Sequence, residues 1–244
     1  MSNLVPVFTE THHALLFAWI ARALISTSGD EKAAPALRAA VTQYGMERGR
    51  RMALRARANG DPLSMASYMA YGEWQSTPGA MEQVTLENTP HAHVHIPKCP
   101  WYTAWDENGL MESGRYYCQV IDEALGRGFN PALHIAVNGT RSNGAAQCDF
   151  VYEGANLTPE AQAKLDETKA ANLGRGGVLP WEYHTGHLYK TMRSVLEKEL
   201  GETGRDAAER GLAEFSAYFG AQAAQVVESY IDTDFKALPA HRQG

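Results

Sequence analysis

The chain has few of the features that mark secreted or membrane proteins. Only three of its 244 residues are cysteine, and an odd number cannot pair completely into disulfides. No basic and apolar signal segment is visible near its start, and no apolar run reaches the roughly 20 residues that span a bilayer. We therefore expect a cytoplasmic protein with free thiols and no membrane partner.

Basic charge is also scarce. The 22 Lys and Arg residues are outnumbered by 28 Asp and Glu residues, which gives a formal net charge of -6. No basic surplus is left to neutralise phosphates, and the sequence has no Gly-rich nucleotide loop. We expect a small-molecule substrate and no nucleic acid as partner, and we leave a homo-oligomer open.

The residues best suited to chemistry are concentrated in the segment 91–152, which holds all three cysteines and four of the nine histidines. The flanking regions have helical patterns. Residues 11–26 and 31–59 predict a helical hairpin that turns at Gly29, and residues from 187 onward predict a second hairpin that turns at Gly204. We divide the chain into an N-terminal hairpin (1–80), a central α+β core (81–153) and a C-terminal linker and hairpin (154–244).

The central region combines strands and helices. Residues 81–96 have a β pattern in which alternate positions carry histidine, so the imidazoles would share one face of a strand. Pro100 suits the first position of a helix that leaves Cys99 at its N-cap. LHIAVNG and QCDFVYEG predict a hairpin of two further strands. The expected fold class is α+β, a small antiparallel sheet with central helices between N- and C-terminal helical hairpins.

Two cysteines are candidate nucleophiles. At a helix N-terminus the dipole would stabilise the Cys99 thiolate, although a free cysteine in such a position is more often a small, buried and unreactive residue. Cys118 and Asp122 stand four residues apart in a helix predicted over 115–127, so the carboxylate could accept the thiol proton. A core cysteine beside a solvated acid would look the same in sequence. Cys148 should face the core together with Phe150.

The strand histidines allow two interpretations. His91, His93 and His95 could supply ligands to zinc, or one of them could be the general base for a cysteine. The sequence shows no dedicated carboxylate or cysteine pair beside them. We therefore expect no bound metal and no cofactor.

Four short motifs occur in order: CPWY, GRYYCQVIDEAL, GFNP and QCDFVY. With HHALLFAWIARAL and QYGMERGRR before them, they resemble the L-2-amino-thiazoline-4-carboxylic acid hydrolase family over roughly residues 10–153. The resemblance implies a hydrolase that opens a small five-membered cyclic amide or amidine at a C-N bond. It also favours Cys118 over Cys99 as the nucleophile.

From the residues and the resemblance together we expect a thiolate to attack the ring carbon between two heteroatoms. The expected catalytic residues are Cys118, Asp122, Cys99 and His93. The expected substrate-binding residues are His91, His95, Trp101, Tyr102 and, for a substrate carboxylate, Arg115 or Arg141. Two alternatives stay open, a metal-dependent hydrolase that uses the strand histidines and a non-catalytic module that senses or binds a small molecule.

Overall fold

A four-stranded antiparallel sheet forms the centre of the protein, whose computed structural model describes residues 6–239. The spatial order is β1-β2-β4-β3, with β1 Glu82–Glu87, β2 Ala92–Lys98, β3 Ile135–Gly139 and β4 Cys148–Tyr152. β3 and β4 form the predicted hairpin, and β4 also pairs with β2, so that His95 lies opposite Asp149. With helices around this sheet, the predicted α+β class is confirmed.

Ten α-helices surround the sheet within the described residues. They are α1 Glu10–Ser28, α2 Asp30–Ala58, α3 Met65–Ala70, α4 Pro100–Glu107, α5 Met111–Cys118, α6 Ile121–Phe129, α7 Pro159–Gly174, α8 Trp181–Leu200, α9 Glu202–Phe219 and α10 Ala221–Glu228. Within this part of the chain, no helix is both long enough and apolar enough to cross a bilayer.

The two helical hairpins turn at glycines with positive φ. Gly29, at φ 77°, joins α1 to α2 as the sequence predicts. The second turn is at Gly201, at φ 62°, so the prediction of a turn at Gly204 is wrong. Gly204 instead lies inside α9, where a Cβ atom would come within 2.0 Å of the Leu196 carbonyl oxygen. Its lack of a side chain therefore allows close helix packing rather than a turn.

The predicted helix over residues 115–127 is broken, which corrects the predicted setting of Cys118. Helix α5 ends at Cys118, and α6 begins at Ile121 after Val120 leaves helical geometry at φ -139°. Cys118 thus lies at a helix C-terminus instead of mid-helix, while Asp122 lies in the first turn of the next helix. The two residues do not share one helical face.

Helices α2 and α6 cross with their backbones in direct contact. A Cβ atom at Gly49 would lie 2.1 Å from the Leu125 carbonyl oxygen, and one at Gly128 would lie 2.3 Å from the Met46 carbonyl oxygen. Only glycine fits at both positions. This crossing brings Arg48 of α2 and Asp122 of α6 to the same side of the sheet, where both line one cavity.

Candidate active site

A cavity of about 760 Å³ lies between the sheet and the surrounding helices. Three clusters of buried residues meet around it, one from the helical hairpins, one around α3 and α7, and one on the inner face of β2 and β4. Its volume falls within the usual range for small-molecule sites. Aromatic rings form much of the wall, namely Tyr68, Trp74, Trp101, Tyr117, Phe150 and Tyr152.

All three cysteines are unpaired and line this cavity. Cys99 is the N-cap of α4, as predicted from Pro100. Cys148 is buried beside Phe150 on the inner face of β4, which confirms the predicted orientation, and its Sγ accepts a hydrogen bond of 3.4 Å from the backbone N–H of Arg141. The sheet and two helix ends therefore bring together thiols that are far apart in sequence.

Burial keeps the thiols protonated when the cavity holds no ligand. It raises the pKa of Cys99 to about 11, although the backbone amides of Tyr102 and Trp101 at the start of α4 act to lower it. Burial also raises the pKa of Cys118 well above its ordinary value, against the opposing effect of the Ser142 hydroxyl. A base is therefore needed before either sulfur can act as a nucleophile.

Asp122 contributes a buried carboxyl group to the cavity. Burial raises the pKa of Asp122 to about 6, while the positive charge of Arg48 acts to lower it. A carboxyl with a pKa close to neutrality can both accept and return a proton under ordinary conditions. The negative charge of Asp122 also acts to raise the pKa of Cys118, after the larger effect of burial.

Arg48 supplies a buried positive charge to the cavity. It is 3% exposed, and its Nε has no hydrogen-bond partner among the described residues. The nearby Glu73 carboxylate lies 3.7 Å from that nitrogen, too far for a hydrogen bond. Glu73 already accepts hydrogen bonds of 2.6 to 3.0 Å from Arg51 and Arg55. One carboxylate thus faces three guanidinium groups, and it forms hydrogen bonds with Arg51 and Arg55 but not with Arg48 Nε.

Trp101 is held in the cavity wall by the first helix. Its Nε1–H donates a hydrogen bond of 3.1 Å to His13 Nδ1. Burial lowers the pKa of His13 well below its usual value, so the ring is neutral and its proton is on Nε2. That nitrogen then donates to the Tyr44 hydroxyl at 2.9 Å. The chain of contacts links α1, α2 and α4 and fixes the orientation of the indole.

A second, smaller cavity of about 320 Å³ lies between the α5–α6 connection and β3. Cys118 and Asp122 are the residues that line both cavities. These two side chains therefore lie where the two cavities adjoin.

The structure does not bring the strand histidines together with the cysteines. Val94 and Ile96 of β2 line the cavity, so His93 and His95 point to the opposite face of the sheet, where both contact Asp149. His91 lies just before β2, is exposed, and accepts a hydrogen bond from the Gly154 backbone N–H. The predicted base His93 is therefore separated from Cys118 by the sheet itself.

Three further predicted substrate contacts lie outside the cavity lining. The Arg141 guanidinium stacks on the Tyr102 ring at 3.8 Å from its centroid. Arg115 forms an ion pair of 3.2 Å with the exposed Glu112. The predicted residues that do line the cavity are Cys99, Trp101, Cys118 and Asp122.

Sequence reasoning missed Arg48 as a cavity residue. Leu37, Val41 and Tyr44 form the buried stripe of α2, and Arg48 continues it at the same helical spacing. This spacing was the available signal that Arg48 faces the interior. The sequence alone does not assign Arg48 to a cavity, because it identifies no partner for the guanidinium group.

Together, the helices and the sheet define an α+β protein with a cavity of small-molecule size against one face of the sheet. The family model of L-2-amino-thiazoline-4-carboxylic acid hydrolase matches residues 9–152, more than half of the chain. The chain belongs to this family, which confirms the resemblance seen in the motifs. The matched segment includes Arg48, Cys99, Cys118 and Asp122. Neither the curated proteins nor the solved structures provide a match.

Proposed function

We propose that this protein hydrolyses a small cyclic amidine that carries a carboxylate, a ring of the aminothiazoline-carboxylate type, at a C-N bond. The family is named for a hydrolase of such a ring. The observation that carries the proposal is the buried Arg48, which lines a cavity together with thiols and a carboxyl group and whose Nε has no hydrogen-bond partner among the described residues.

Arg48 is proposed to bind the substrate carboxylate. A buried donor without a partner is costly, and a substrate carboxylate would supply a charged acceptor for it. The aromatic rings of Trp101 and Tyr117 offer apolar surfaces for a flat ring. The amidine carbon would then lie near Cys118 and Asp122, which line the same cavity.

In the proposed first step, Asp122 accepts the proton of Cys118 as the sulfur adds to the ring carbon between the two heteroatoms. The proton then passes from Asp122 to the ring nitrogen, and the C-N bond of the ring breaks as the exocyclic amino group passes a second proton to that nitrogen and forms a C=N bond to the ring carbon. Because the leaving nitrogen stays attached to the rest of the substrate, the covalent intermediate keeps every substrate atom.

Water completes the reaction. It adds to the same carbon with Asp122 as the base, the bond to Cys118 breaks, and the thiol regains its proton. One water molecule is consumed, and the amidine carbon ends as a carbamoyl group on the substrate sulfur. The smaller cavity beside Cys118 and Asp122 gives this water an approach.

Product analysis tests the proposal directly. The protein is incubated with L-2-amino-thiazoline-4-carboxylic acid, and the product is assayed for a free amine and a free thiol. Cleavage at the ring C-N bond releases an amine and leaves the sulfur carbamoylated, so a thiol reagent should not react. A free thiol would show cleavage of the C-S bond instead. No product above the uncatalysed rate would contradict the proposed activity on this ring.

A further inference from the structure

The outer face of the sheet carries a second cluster of chemically active groups that the proposed reaction does not use. His93 and His95 project from β2, and Asp149 projects from the neighbouring strand β4, directly opposite His95. His93 is two residues before His95, so all three side chains lie on one face. They are only partly exposed, at 26%, 19% and 28% of the side-chain surface.

The spacing of these side chains matches a metal site. The Nε2 atoms of His93 and His95 lie 2.8 and 3.3 Å from the two carboxylate oxygens of Asp149. One potential ligand atom from each residue falls within 4.8 Å of the other two. Around a divalent zinc ion with bonds of about 2.1 Å, adjacent ligands are separated by roughly 3.0 to 3.4 Å. Drawing the three atoms in from separations of at most 4.8 Å to this range would place them around one ion.

Neighbouring amides support the same arrangement. Asn138 donates a hydrogen bond of 3.0 Å to Asp149, and the Gln147 amide lies 2.6 Å from His95 Nδ1. When His95 binds a metal through Nε2, its proton is on Nδ1 and needs an acceptor. Turning the Gln147 amide over supplies its carbonyl oxygen at that position.

We propose that His93, His95 and Asp149 form a binding site for a first-row divalent cation, zinc in the first instance, on the face of the sheet opposite the cavity. Two imidazoles and one carboxylate suit such ions and leave further positions for water. The ion ties β2 to β4, the two strands whose inner face forms the cavity wall. Its role is therefore to hold the sheet together, apart from the chemistry at Cys118.

The test is a zinc titration of protein that has been freed of metal with a chelator, followed by calorimetry and by thermal unfolding. We expect one equivalent of zinc to bind and to raise the midpoint of unfolding, because a ligand that binds only the folded state stabilises it. Asp149→Asn keeps the shape and a hydrogen-bond acceptor but loses the charge, and should weaken binding at least about 100-fold. His93→Gln gives a second, independent variant, and unfolding in chelator shows whether each variant is folded.

His134 provides the matched control, since it is an exposed histidine that pairs with the single carboxylate of Glu153 at 2.7 Å. His134→Ala should bind zinc like the unmodified protein. Cobalt(II) in place of zinc should give a spectrum without thiolate charge-transfer bands, which excludes the cavity cysteines as ligands. The proposal is overturned by protein that binds no zinc, by unchanged affinity in folded Asp149→Asn and His93→Gln, or by thiolate bands with cobalt.

Discussion

Arg48 and Asp122 face one cavity from two helices, and the charge of Arg48 lowers the pKa of Asp122 while burial raises it. The close crossing at Gly49 and Gly128 creates this relationship, since bulkier residues would hold the helices apart. A carboxyl group whose pKa is set by a neighbouring cation will respond when a substrate anion neutralises that cation. The first two predictions follow from this coupling.

Asp122 should give the reaction its pH dependence. If it acts as the base, kcat/KM should rise with pH through an apparent pKa near 6, the value to which burial raises the pKa of Asp122. A substrate carboxylate on Arg48 removes an influence that lowers this pKa, so the kcat profile should rise at a higher pH than the kcat/KM profile. Rate measurements from pH 4.5 to 8.5 check both statements. A flat profile, or one unchanged in Asp122→Asn, would contradict this role.

Asp122 should also make the free energy of unfolding depend on pH. The pKa of Asp122 is raised from 3.8 to about 6 in the folded state, so between these values the folded protein binds more protons than the unfolded chain. Its contribution to the free energy of unfolding therefore falls as pH rises through this window and stays low above it. Relative to the unmodified protein, Asp122→Asn should gain on the order of 2 kcal/mol between pH 4 and pH 7.5. Urea unfolding at the two pH values measures the difference, and the reverse sign would count against the raised pKa.

Arg48 should determine the preference for a carboxylate. Arg48→Met should lower kcat/KM for the carboxylate substrate about 100-fold, since charge-assisted hydrogen bonds contribute roughly 1.5 to 3 kcal/mol. It should have a much smaller effect on 2-aminothiazoline, which lacks the carboxylate. Arg50→Met is the control, because Arg50 lies on the same helix but is exposed. Equal losses on both substrates would assign Arg48 a structural role instead.

Gly49 should be intolerant of a side chain. Because a Cβ atom would meet the Leu125 carbonyl oxygen at 2.1 Å, Gly49→Ala should force α2 and α6 apart and cost about 1 to 3 kcal/mol of stability. Gly174→Ala is the matched control, since nothing lies within 4 Å of a Cβ atom at Gly174. Thermal unfolding of both variants measures the contrast. A Gly49→Ala protein as stable as the control would show that the crossing can relax.

The sequence predicted those parts of the site that depend on local signals. Pro100 identified the start of α4 and hence Cys99 as its N-cap, and alternation in β4 placed Cys148 and Phe150 on the inner face. In both cases the structure depends on residues only one or two positions apart. The N-terminal hairpin with its turn at Gly29 was also predictable, because helical periodicity and a glycine between two helices are local signals.

Contacts between distant segments were not predictable. The partner of Arg51 is Glu73, 22 residues further along the chain and outside any periodic pattern. Asp149 is 54 residues from His95, so the histidine motif showed no carboxylate until the strand register brought one beside it. The break between Cys118 and Ile121 was missed because Cys118 and Asp122 fit one helical face equally well in a continuous helix.

The most direct test of the central claim is turnover of L-2-amino-thiazoline-4-carboxylic acid by cysteine variants that remain folded. Cys118→Ser should reduce kcat at least about 1000-fold with little change in the thermal midpoint, because serine is nearly isosteric but a far poorer nucleophile. Cys148→Ala should lose about 1 to 3 kcal/mol of stability and keep near-normal turnover per folded molecule. Activity retained in Cys118→Ser but lost in Cys99→Ser would transfer the nucleophile to Cys99. Activity retained in both serine variants would contradict covalent cysteine catalysis and favour a water activated by Asp122.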